Sequence, residues 1–189
     1  DINLPAGGHL FVFASGKDRK TIPMTFQTLI DLGDNWQYIV PASDPGTSWR
    51  YTGFNAAGWQ SKPSGFGYGD DDDNTVIPTT LSVFIRKEFA ITDLSSIQQL
   101  FLHMDYDDGF VAYLNGVEIA RVNLGAAGQE VPFDQGTGDL LHEATMYQGG
   151  APELFLVDDP QEILVEGTNV LAIQGHNVSL TSSDMTLIP

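Results

Sequence analysis

Apolar and polar positions alternate with a period of two through most of the second half of the chain. In LSVFIRKEFAI, Val83, Ile85, Phe89 and Ile91 share one face, and Phe84, Arg86 and Glu88 share the other. In SIQQLFLHMDY, Leu100, Leu102 and Met104 oppose Ile97, Phe101 and His103. The stretch YDDGFVAYLNGVEIARVN holds two alternating runs around Asn115-Gly116. Its first run sends Phe110, Ala112 and Leu114 one way, and Val111 and Tyr113 the other. Asn-Gly supplies the two positive-φ residues that a type I′ turn needs, so the stretch reads as a β-hairpin. Further strands are expected over Leu10 to Ala14, in TFQTLIDLG before Gly33, at ELFLVD, and in GTNVLAIQGHN, where Leu171 and Ile173 oppose Gln174 and His176. Twenty glycines, ten prolines and the lack of any long amphipathic helical run favour seven to nine short strands in an antiparallel β-sandwich.

Composition narrows the function. At 189 residues and 42% apolar content the chain suits one main domain, and it shows no internal repeat. Its formal charge of -17 repels a phosphate backbone or an anionic membrane surface, which argues against nucleic-acid partners. That acidity fits solubility in a salty or extracellular setting, and equally cation binding through aspartate-rich loops. With no cysteine there is no disulfide, thiolate metal site or thiol nucleophile. No apolar run approaches the roughly 20 residues of a membrane span, so membrane insertion is not expected. The opening at Asp1, without methionine or signal peptide, reads as excision from a longer chain.

The segments GFGYGDDDDNT, FIRKEF, YDDGFVAYLNGVEIARVN, GTNVLAIQGHN and SSDM follow one another in an order and spacing that resembles the galactose-binding-like, carbohydrate-binding-module-like domains of large secreted bacterial proteins. The resemblance runs from about Trp36 to Ile188. It implies an all-β jelly-roll sandwich over residues 33–189, secreted or at the cell surface, with neighbouring domains as partners. The opening GHLFVFASGKDR resembles the last strands of a lamin-tail-type domain, which makes residues 1–32 a remnant or linker. Such modules include polysaccharide and oligosaccharide binders, often with a structural calcium, and also architectural or adhesion spacers.

Two acidic clusters are candidates for that cation. In DDDDN, an extended backbone turns Asp70, Asp72 and Asn74 to one side as hard oxygen donors; a solvated acidic turn explains the run as well. It is not an EF-hand, because Thr75 stands where glycine is needed and Leu81 where a bidentate glutamate belongs. Asp105, Asp107 and Asp108 form the second cluster, at the mouth of the hairpin; here a turn, with Gly109 supplying an unusual backbone angle, is the simpler alternative. The resembling modules draw ligands from an early loop and the final strand, which adds Asp184 by position.

For a sugar, the expected contacts are Trp49, Arg50, Tyr51 and Trp59 in the aromatic loop segment, with Gln174 and His176 on a late strand. An exposed ring stacks on the apolar face of a pyranose while polar neighbours bond its hydroxyls. In a sandwich most such rings fill the core instead, and most strand polars are satisfied by neighbours. No catalytic residue is expected: the four histidines lack metal-ligand spacing, no serine sits in a GxSxG elbow, and loop aspartates make poor general acids.

Overall fold

The computed structural model describes residues 26–70 and 73–189. The expected strand from Leu10 to Ala14, most of the lamin-tail-like remnant, and Asp72 lie outside these. Among the described residues eleven strands form: β1 Asn35–Ile39, β2 Gln60–Pro63, β3 Phe66–Tyr68, β4 Thr75–Val76, β5 Ser82–Ile91, β6 Leu100–Asp107, β7 Gly109–Leu114, β8 Val117–Val122, β9 Glu153–Val157, β10 Gly167–His176 and β11 Met185–Ile188. One short helix, α1, spans Pro160–Ile163. The strands make a six-stranded sheet, β2-β1-β5-β10-β7-β8, and a five-stranded sheet, β4-β3-β11-β6-β9. All pairs are antiparallel except β3 with β4. This is the all-β sandwich that the alternating pattern anticipates, with more strands because short ones such as β4 carry too few residues to show a period.

The inward faces follow the pattern. Val83, Ile85, Phe110, Ala112 and Ile173 from the first sheet meet Leu102, Met104, Tyr106, Met185 and Leu187 from the second. Phe84, Val111, Tyr113 and Ala172, on the outer face of the six-stranded sheet, are buried too, under Trp49, Leu124 and Val131. Two loop segments therefore roof part of that face, which explains why its strands carry large apolar side chains on both sides. The expected strand before Gly33 does not form. Leu29 and Ile30 instead pack, partly buried, against the apolar clusters.

The hairpin is as read: Asn115 and Gly116 take φ of 52° and 86°. Tyr51 lies where a Cβ on Gly116 would stand, so that glycine also makes room for a ring. No helix among the described residues is long and apolar enough to cross a membrane.

Candidate cation site

Antiparallel pairing of β6 with β11 places Asp107 opposite Thr186, which brings Asp184, just before β11, to the end of β6. On the other side of β11, Gly67 and Gly69 let β3 lie close, because a Cβ at either would collide with the Met185 or Ser183 carbonyl. Glu143 arrives from a long loop that two other aspartates hold. Asp108 Oδ1 accepts from the His142 backbone N–H at 3.1 Å, and the Asp105 carboxylate accepts from Thr145 and Met146 N–H, each at 2.8 Å. The result is one cluster: carboxylate oxygens of Asp107, Glu143 and Asp184 lie within 4.8 Å of one another.

Asp107 is 5% exposed. Burial first, then the charges of Asp108, Asp184 and Glu143, push its carboxyl from an ordinary value of 3.8 up to about 8. Only Asp107 of the three is buried; Asp184 is half-buried and Glu143 exposed, so the repulsion falls chiefly on Asp107, and a proton or a cation among the three relieves it. Beside the cluster, the fully buried Asn177 donates to the Asp184 carbonyl at 2.7 Å and the Tyr68 hydroxyl at 3.0 Å, while its own Oδ1 has no hydrogen-bond partner. The donor set is all hard oxygen, which suits calcium or magnesium and not a metal that prefers nitrogen or sulfur.

The predicted ligands divide. Asp107 and Asp184 meet as expected. Asp108 does not join them, since its second oxygen accepts from Val178 N–H at 2.7 Å and the side chain is a backbone clamp. Asp70 accepts from Thr186 Oγ1 at 2.9 Å, and Asn74 donates to the Ser64 carbonyl at 3.0 Å; neither belongs to the cluster. Glu143 was missed, because it stands alone in a loop with no acidic neighbour. Gly109 has no left-handed φ. Its role is space: a Cβ there would stand 2.8 Å from the Val122 carbonyl oxygen.

The expected sugar contacts are mostly sealed. Trp49 is fully buried, its indole N–H donating to Gly46 O at 2.9 Å, so it offers no platform. Arg50 is buried over the Tyr113 ring and paired with both oxygens of Glu130. Gln174 and His176 are fully buried beneath the loop that carries Val131 and Gln135. Burial drives His176 from 6.5 down to about 4. It is therefore neutral, with Nδ1–H donated to Gln135 O at 2.7 Å and Nε2 facing the Gln174 amide at 3.2 Å. Trp59 is half-buried against Trp49 and Phe54. Tyr51 alone keeps an exposed ring.

No family model and no curated protein matches this chain. Among solved structures, a beta-glucuronidase from glycoside hydrolase family 2 is 17% identical, with a TM-score of 0.46, over 77% of this chain and 13% of its own. A beta-glycosidase from Bacteroides vulgatus is 14% identical, with a TM-score of 0.48, over 84% of this chain and 20% of its own. A calcium binding mutant of Bacteroides uniformis beta-glucuronidase 2 is 9% identical, with a TM-score of 0.47, over 83% of this chain and 17% of its own. The chain thus spans a fifth or less of these enzymes' length, and likeness at this level assigns no activity.

Proposed function

We propose that this chain is a non-catalytic β-sandwich module of a secreted or cell-surface multidomain protein, that a calcium ion locks its acidic end, and that it binds a polysaccharide or oligosaccharide. The convergence of Asp107, Glu143 and Asp184 from three separate segments carries the cation part. Bound calcium would replace the proton on Asp107 and offset the mutual repulsion of the three carboxylates. A carboxyl held protonated near pH 7 also suits a general acid, but a general acid must reach the scissile oxygen. Asp107 is almost fully buried, at 5% exposure, and so is poorly placed to reach a substrate.

The carbohydrate part is supported by the motif resemblance and by a polar groove left open on the six-stranded sheet. The competing reading, a structural or adhesion spacer without sugar binding, is favoured by the burial of Trp49, Gln174 and His176. Two measurements test the proposal. Thermal unfolding in calcium and in chelator should differ by a saturable shift, since a ligand of the native state raises its stability by mass action. Affinity electrophoresis through a panel of soluble glycans should retard the protein on at least one; migration unchanged on all of them would leave the spacer.

A further inference from the structure

The outer face of the six-stranded sheet is not roofed at its β1, β2 and β5 edge. There a groove of about 250 Å³ is lined by Asn35, Gln37, Ser61, Arg86, Lys87 and Glu88. Its polarity is preset by one buried residue. Arg86 is 2% exposed, and its guanidinium donates to the Trp49 and Tyr51 carbonyls at 3.1 and 3.2 Å, to Gln37 Oε1 at 2.7 Å and to Glu88 Oε1 at 2.9 Å.

A guanidinium has donors only, so Gln37 must turn its carbonyl oxygen to it and present its amide NH₂ outward. Glu88 likewise gives one oxygen to Arg86 and keeps the other as a free acceptor. One buried cation thus holds an outward donor and an outward acceptor beside each other. At the rim, the exposed side chains of Asn35 and Ser61 make no hydrogen bond among the described residues, and Lys87 is tied to Asp34 and the Asn35 carbonyl. Arg86 and Lys87 are balanced by Glu88 and Asp34, so this patch is near neutral on a chain of charge -17.

Resting on the carbohydrate reading above, we propose that this groove binds a vicinal diol of a neutral glycan. One hydroxyl accepts from the Gln37 amide, its neighbour donates to Glu88, and Arg86 is the positioning residue that fixes both. A donor and an acceptor side by side match the donor-and-acceptor character of adjacent sugar hydroxyls, whereas the free Glu88 oxygen repels a uronate. The size of the groove suits one or two sugar rings and weak, fast-exchanging binding.

The test is a chemical-shift titration of the isotope-labelled chain, in calcium, with neutral hexaoses of glucose, xylose and mannose and with an acidic hexauronate. The expected result is a saturable shift of the Gln37 side-chain amide with a neutral hexaose, insensitive to added salt and absent with the uronate. Gln37→Glu keeps an acceptor for Arg86, and so the fold, but removes the outward donor; it should weaken binding by roughly tenfold, the loss of one well-made hydrogen bond. Saturable shifts elsewhere, unchanged in Gln37→Glu of wild-type melting temperature, would overturn the groove and leave the carbohydrate reading standing. No shift with any neutral hexaose would overturn the groove proposal, and no shift with the hexauronate either would overturn the carbohydrate reading with it.

Discussion

Asp107 and His176 are buried titratable groups whose shifts run in opposite directions, and each contributes to how stability depends on pH. The carboxyl of Asp107 is raised from 3.8 to about 8, so the folded chain holds a proton that the unfolded chain gives up. That contribution is complete below about pH 4 and is lost as pH rises toward 8. His176 is depressed from 6.5 to about 4, so its contribution is complete above 6.5 and is lost as pH falls toward 4. Between 6.5 and 8 only the Asp107 loss operates. Metal-free protein should therefore melt lower at pH 8 than at pH 6.5, and saturating calcium should reduce that difference. Asp107→Asn should melt higher than wild type at pH 8 in chelator and no longer respond to calcium. A variant that keeps a wild-type calcium shift would remove Asp107 from the site. Steric rather than electrostatic reasoning governs Gly109, where alanine meets the Val122 carbonyl and should cost roughly 1–3 kcal/mol in urea unfolding.

At the scale of elements, the roof over the six-stranded sheet depends on how its loops are anchored. The fully buried Trp49 packs edge-on to Phe84 and Tyr113 at centroid distances of 5.0 and 5.9 Å. Trp49→Ala should cost about 3–5 kcal/mol of stability while leaving calcium affinity unchanged, because the candidate cation site is built from the end of β6, the loop of Glu143 and the residue before β11. Coincident loss of calcium binding would show the roof and the candidate cation site to be coupled.

The strands were legible because their apolar positions alternate, and the hairpin because only a narrow set of residues accepts two successive positive φ angles. The roof was not. Period two assigns Trp49 to no strand, and whether a loop indole faces solvent depends on Phe84, Tyr113 and Arg86, which sit 35 or more positions away. The same long-range geometry hid the cation cluster. Asp107 and Asp184 were named by acidity and by position, yet Asp108, their equal in sequence, spends its oxygens on the backbone of residues 142 and 178. Glu143 has no local signature; only the two aspartates that pin its loop bring it in.

For the molecule as a whole, a formal charge of -17 leaves an excess of acidic groups that repel one another, and the proposed divalent cation would relieve that repulsion at Asp107, Glu143 and Asp184. On the proposed reading, a sandwich closed by calcium would be a module suited to places where calcium is plentiful. The central claim is tested most directly by calorimetric titration of chelator-treated protein with calcium, in two buffers of different ionisation enthalpy, below and above pH 8. The account predicts one saturable site that releases a proton below about pH 8, where Asp107 is still protonated, and none above it. No saturable heat at either pH, or a site that survives Asp107→Asn unchanged, would contradict it.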